Sequence, residues 1–418
     1  MTTFAEYEMG SAGRLPSGRV VAASTNETTV RLSFSAAATS TTAATSTTSA
    51  TATETTATET TATETRTVEL LNDWLRDNCP CTVCRIVQTD ERRWTPWLDA
   101  SPAEVQRLSV TDHGVEIDWD GGHRSFFPND VWARIDTAVH RTSYTARLWR
   151  AGYEIERFDH DRTTNDLVTR RRFFETFRRD GAVVVTGSPL APGSCIEFIE
   201  KLGLTLIHHN LGVIFDVKLD PAGFNVAFTS EALVPHHDNA QSTYPPSGQV
   251  LAMIANDAEG GDSIVVNSWT LLHDLEERDP SAVEVLTRVE VGFRQYSNDA
   301  DGFTRAPLVV RDGSGGFKHL RFSNQLMQPL PFDHPDLAEW YRAYRLLGSL
   351  VVDPAYAVRF RLRAGDTLIV HSQRVMHARA AFVPNGPRHL QDIYFDVDDV
   401  YGILGRMTGE ATNAMVQS

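Results

Sequence analysis

Lysine is nearly missing from this chain. Lys201, Lys218 and Lys318 are its only three, so almost all positive charge is arginine. We read that as the codon bias of a GC-rich genome, without functional weight. Basic residues are also outnumbered, leaving a formal net charge of -15 over 418 residues. Binding nucleic acid through its phosphates needs a basic surface, so that class is set aside. No apolar run reaches the ~20 residues of a membrane helix, and the N-terminus lacks the basic-then-apolar layout of a secretory signal. Both absences make the cytoplasm the expected location, away from membranes. Cysteine is scarce as well, with four in all. Three of them, Cys79, Cys81 and Cys84, fall within six residues, which in a reducing compartment reads as metal binding rather than disulfides. Cys195 stands alone and reads as a buried, inert thiol.

Enough apolar sequence remains for two or three packed domains. Residues 1–17 carry no pattern and are expected to be disordered. A small β-rich domain is expected over residues 18–130, from short alternating stretches such as Thr29–Phe34 and a meander over Leu108–Phe127 with a turn at Asp120-Gly121-Gly122. Residues 35–65 interrupt it with Ala, Ser, Thr and Glu, the motif TATET running three times from Thr51 to Thr65. Such a stretch buries too little apolar surface to offset its ordering entropy and reads as a flexible insertion. Residues 131–160 read as a linker. Residues 161–418 hold helices and many short strand candidates, among them Phe224–Phe228, Val250–Ile254, Thr367–Val370 and Gln391–Phe395, a pattern predicting a sandwich or jelly roll.

Chemistry concentrates in His236-His237-Asp238, with His377 far downstream and Arg388 eleven residues later. Two imidazoles and one carboxylate on one side of a metal leave the opposite positions open, the arrangement of a reactive non-haem Fe(II). A guanidinium shortly after the second histidine suits a carboxylate co-substrate, which it grips bidentately. His237 holds the middle position and is expected to face away on an extended segment. A second match, His334-Pro335-Asp336, precedes a helical run, where Asp336 reads as an N-cap, and is set aside.

The stretch from His236 through Gly260-Gly261-Asp262-Ser263 to Gln373–Arg379 and Arg388-His389-Leu390 resembles the Fe(II)/2-oxoglutarate oxygenases of the taurine dioxygenase superfamily. More narrowly it resembles the gamma-butyrobetaine and trimethyllysine hydroxylase branch, over residues 66–405. The resemblance implies a mainly β fold with flanking helices: a double-stranded β-helix (jelly roll) catalytic domain plus a zinc-binding N-terminal domain. It implies His236, Asp238 and His377 as iron ligands. Arg388 would hold the distal carboxylate of 2-oxoglutarate, with Ser263 beside it and Arg379 as a further candidate. O2 and 2-oxoglutarate would be consumed, leaving succinate and CO2. The carboxylate Asp238, where a small residue would leave room for halide, points to a hydroxylase rather than a halogenase.

Three thiolates need a fourth ligand for a closed tetrahedral zinc, and composition offers His113 or His123. The lead-in Asn72–Asn78 resembles the zinc domain of the same branch, which places the fourth ligand at His123. The branch also implies a small trimethylammonium or betaine-like substrate held by cation–π contacts. Asn225 and Asn324 match positions contacting the substrate, and Phe215, Phe228 and Tyr394 match aromatic positions, while Leu211 stands where an aromatic is usual. A phosphonate, amino acid or natural-product intermediate is the alternative substrate; a non-catalytic binding module is the alternative class. A homodimer is implied by the family alone.

Overall fold

The computed structural model describes residues 4–9, 13–35, 65–98, 101–140, 142–208, 212–220, 225–296 and 301–407. Most of the expected 35–65 insertion, and Leu211, lie outside them. The chain divides into two compact units, one of residues 1–11 and 142–407, the other of 12–141 and 408–418. This division differs from the one expected. Ala5–Met9, in the stretch read as disordered, is a strand paired with Tyr144–Leu148. The stretch read as a linker contains the helix Val131–Val139, whose Val131 and Trp132 are buried in the smaller unit's core. It also contains the strand Arg157–Asp159, which lies parallel to Ala182–Thr186. Short segments with little periodicity of their own are ordered here by their partners.

The larger unit is a jelly roll of two facing sheets between helical layers. One sheet runs Phe215–Lys218, Arg388–Phe395, Gly248–Asn256, Thr367–His371, Ala182–Thr186 and Arg157–Asp159. The other runs Leu233–His236, Val375–Arg379, Ser263–Asn267 and Ala357–Phe360, antiparallel throughout. Strand alternation sorts the side chains. Leu251, Val265, Leu368, Val370, Val375 and Leu390 meet between the sheets. Their neighbours Val250, Ile369 and Ile393 face outward onto the helices Leu167–Asp180, Ser194–Lys201 and Asp398–Met407. Val266 and Met376 likewise face the helices Ser268–Arg278, Pro280–Arg288 and Leu337–Val351. Ends are set locally: the Asp166 carboxylate caps Leu167–Asp180 by accepting from Val168 and Thr169, and Gly181, at φ 75°, closes it.

The smaller unit holds two three-stranded antiparallel sheets, Val20–Thr25 with Thr29–Ser35 and Thr65–Leu71, and Val105–Thr111 with Gly114–Trp119 and Arg124–Pro128. Val30, Leu32, Phe34, Ile117, Trp119 and Phe127 form its core. No helix among the described residues is long and apolar enough to cross a membrane.

Two local expectations are corrected. Over Phe224–Phe228 the described residues form a short 3-10 helix, Val226–Phe228, instead of a strand, because Asn225 Oδ1 accepts from the Ala227 N–H and turns the chain. Asp336 does flank Leu337–Val351 but makes no side-chain cap. Its carboxylate is drawn off by Arg288, at 2.6 and 3.1 Å.

Candidate active site and cysteine cluster

His236 ends one strand and lies directly opposite His377 on the next, with Val265 flanking His377 from the other side. Their rings are 4.5 Å apart between centroids. Asp238 follows in the turn beyond the strand. Its Oδ1 lies 3.4 Å from His236 Nε2 and its Oδ2 3.5 Å from His377 Nε2. Adjacent ligands bonded at ~2.1 Å stand ~3.0–3.4 Å apart, so the three fit one divalent ion on one side. The His236 ring is oriented by the Val234 carbonyl, 2.8 Å from Nδ1. His237 faces the other way: its Nδ1 receives the Phe322 N–H and its Nε2 meets the Ser268 hydroxyl.

Burial shapes the charges. It works to raise the Asp238 carboxyl, but His377 and His236 outweigh it and hold Asp238 ionised, well below the usual range. The His377 imidazole is pushed by burial down to about 4, while a hydrogen bond to Asp238 lifts His236 against the same burial. A neutral imidazole and an ionised carboxylate are the forms that ligate metal.

The triad opens into a cavity that Ser263, Arg379 and Arg388 also line. Arg379 is largely committed, donating to the carbonyls of Ala227, Thr229 and Glu231 at 2.7–3.0 Å. Arg388 is different. Its Nε, like that of Arg379, is buried without a hydrogen-bond partner, but its other nitrogens donate to no carbonyl and pair with no carboxylate among the described residues. Burial, with the charges of Arg379 and Arg361, pushes its guanidinium down to about 10. A half-buried cation without a counter-charge is costly, and an anion in the cavity offsets that cost.

Of the expected substrate positions, Phe215, Asn225 and Tyr394 line the cavity. Phe228 packs behind Phe215, ring centroids 5.4 Å apart. Asn324 is exposed and accepts the Tyr344 hydroxyl at 2.7 Å; its neighbour Gln325 lines the cavity instead. Sequence reasoning missed Gln325, Gln295 and Asn239 in the wall, and the buried pair Gln249 and Asp392 behind Asp238. A signal existed for Gln249, a polar residue at an inward position of a largely apolar strand, which needs a partner.

In the smaller unit, Cys79, Cys81 and Cys84 lie 3.4, 3.9 and 3.6 Å from His123 Nε2. Tetrahedral zinc with its usual bond lengths separates sulfur and nitrogen by ~3.6 Å, so the cluster is compatible with zinc. His113 sits elsewhere, its N–H on the Thr111 hydroxyl. Burial pushes the Cys84 thiol up to about 12, and the Arg76 guanidinium, 3.1 Å from its sulfur, works the other way.

Known proteins resemble both stretches of the sequence. A family model described as "Taurine catabolism dioxygenase TauD, TfdA family" matches residues 146–394, and one described as "Gamma-butyrobetaine hydroxylase-like, N-terminal" matches residues 53–131. The chain is 30% identical over 338 residues to a gamma-butyrobetaine dioxygenase of Pseudomonas sp. (strain AK-1), covering 79% of this chain and 88% of that one. It is 25% identical over 350 residues to the gamma-butyrobetaine dioxygenase of Homo sapiens, covering 79% and 89%. It is 24% identical over 381 residues to a trimethyllysine dioxygenase of Neurospora crassa, covering 79% of each. The first family match spans more than half of the sequence and contains the whole cavity. The chain therefore belongs to the TauD/TfdA family and is an Fe(II)- and 2-oxoglutarate-dependent dioxygenase, an oxidoreductase.

Proposed function

We propose that the enzyme hydroxylates an unactivated C–H bond of a small trimethylammonium or betaine-like compound, with His236, Asp238 and His377 holding the iron. The observation that carries the site assignment is Arg388, a half-buried guanidinium without a counter-charge among the described residues, in the same cavity as the triad. It would take the distal carboxylate of 2-oxoglutarate, with the Ser263 hydroxyl beside it. Fe(II) with 2-oxoglutarate and O2 supplies the oxidising power. The chain's own residues bind and orient.

Asn225 spends its oxygen on the Ala227 N–H, which leaves its amide N–H groups for a substrate carboxylate. The faces of Phe215 and Tyr394 offer cation–π contact, each worth roughly 0.5–2 kcal/mol. The similarity to gamma-butyrobetaine and trimethyllysine dioxygenases supports this substrate class. In the smaller unit, Cys79, Cys81, Cys84 and His123 would hold a structural zinc. A cytoplasmic location and a homodimer belong to the same proposal, checked by fractionation and light scattering.

A second reading rests on the wall itself. Asn225, Asn239, Gln295 and Gln325 bring four carboxamides to a cavity lined by two aromatic rings. That balance favours a substrate rich in hydrogen-bonding groups, such as an amino acid or phosphonate. The enzyme with Fe(II), ascorbate and 2-oxoglutarate should form succinate only when the right compound is added. Mass spectrometry of products from quaternary-ammonium carboxylates, amino acids and phosphonates separates the two readings. Turnover confined to amino acids or phosphonates selects the second. No substrate-dependent succinate from any of them rejects both.

A further inference from the structure

Asp238 has a structural problem that its partners do not share. His236 and His377 sit on strands held by ladder hydrogen bonds. Asp238 lies in a turn, and the next residue, Asn239, adopts φ 53°, in the left-handed region. Nothing in its local backbone fixes the plane of its carboxylate.

Two side chains from the opposite sheet reach it. Gln249 and Tyr394 are register partners on neighbouring strands, and Asp392 stands two residues before Tyr394. All three are buried, Gln249 completely. Gln249 Nε2 donates to Asp238 Oδ2 at 2.7 Å, and to both Asp392 oxygens at 3.1 Å. The Tyr394 hydroxyl lies 3.1 Å from the same Asp238 oxygen and 2.5 Å from Asp392 Oδ2. Asp392 thus holds both side chains from behind, and both reach one oxygen of Asp238.

We propose that Gln249 and the Tyr394 hydroxyl are positioning residues that set the orientation in which the Asp238 carboxylate meets the metal. The inference rests on Asp238 being an iron ligand. Groups that orient a ligand in this way typically change metal affinity about ten- to hundredfold when removed. Tyr394 also lines the cavity with its ring, so one side chain touches both the substrate space and the metal's carboxylate.

Mn(II) alone is the probe, because it prefers oxygen and nitrogen ligands and avoids the cysteine cluster. Full-length protein freed of iron but keeping the metal of its cysteine cluster is titrated with Mn(II), the free ion is followed by electron paramagnetic resonance, and melting is measured in parallel. Gln249→Leu and Tyr394→Phe should each weaken Mn(II) binding about ten- to hundredfold, with the melting temperature of iron-free Tyr394→Phe unchanged. Asp238→Ala should abolish binding. Wild-type Mn(II) affinity in both Gln249→Leu and Tyr394→Phe, with binding lost in Asp238→Ala, overturns the positioning role alone. Wild-type affinity in Asp238→Ala overturns the ligand assignment and this inference with it. Should Gln249→Leu fail to fold, Tyr394→Phe decides by itself, since it removes one oxygen atom and keeps the ring.

Discussion

His236 and His377 stand opposite each other on neighbouring antiparallel strands, their ring centroids 4.5 Å apart. With Asp238 they form a small polar group at the floor of a cavity, contributing little apolar packing. His236→Ala or Asp238→Ala is therefore expected to abolish Fe(II) binding and turnover while the metal-free melting temperature stays within a few degrees, about 1 kcal/mol. Iron content and calorimetry check this together. Retained iron in both variants would point to other ligands.

Arg388 and Arg379 separate by their commitments. Arg388→Met should raise the KM for 2-oxoglutarate about ten- to hundredfold, the range for losing a charge-assisted hydrogen bond. Arg379→Met should act on the fold, because three loop carbonyls lose their donor. Titration with 2-oxoglutarate beside thermal melts distinguishes them. An unchanged KM in Arg388→Met assigns the carboxylate to another residue.

The cysteine cluster makes an independent prediction. Cys81→Ser should lower bound zinc and bring down a melting transition by at least roughly 10 °C, since zinc in such sites supplies folding free energy. Elemental analysis and calorimetry report the two effects. Wild-type zinc and melting would leave the cluster without a metal role.

A pH dependence follows from two buried histidines. Burial pushes the His319 and His371 imidazoles down to about 3, with the charges of Arg321 and Arg374 adding to it. The unfolded chain returns each to ~6.5. Between those values the unfolded state holds the extra proton, so stability is lost as pH falls below about 6.5. Each histidine contributes up to ~1.4 kcal/mol per pH unit to that loss. Denaturation between pH 7 and 5 should show a flatter slope in His371→Phe than in the wild-type protein. Identical slopes would mean that His371 does not drive the loss.

Legibility followed the kind of constraint. Metal ligation needs particular atoms, so His236, Asp238, His377 and the cysteine cluster could be named from residue type and spacing, and the chain's own folding brings each group together. The jelly roll was readable because its core strands alternate or run apolar. Turn geometry was not. Asn225 bends the expected strand into a 3-10 turn through one side-chain hydrogen bond, and Asn324 and Gln325 exchange places because a turn has no periodicity to assign faces. The extent of each unit was also hidden, since Ala5–Met9 becomes a strand only when Tyr144–Leu148 lies beside it. Gln249 was visible as a polar residue in a largely apolar strand, but its partner Asp238 comes from a distant turn.

Arg379 carries a last consequence. It is two residues from His377 on the same strand, and its guanidinium ties down the segment Ala227–Glu231 on the cavity wall. Peeling that segment away would strand three carbonyls and a buried cation, so this side of the chamber is a fixed wall. Gln295 and Gln325 line the chamber without a side-chain hydrogen bond among the described residues, and Gln325 is exposed. Traffic of substrate and product should pass on their side. A disulfide introduced across Gln295 and Gln325 would then slow turnover, reversibly on reduction, and full activity with that bridge closed would move the doorway elsewhere.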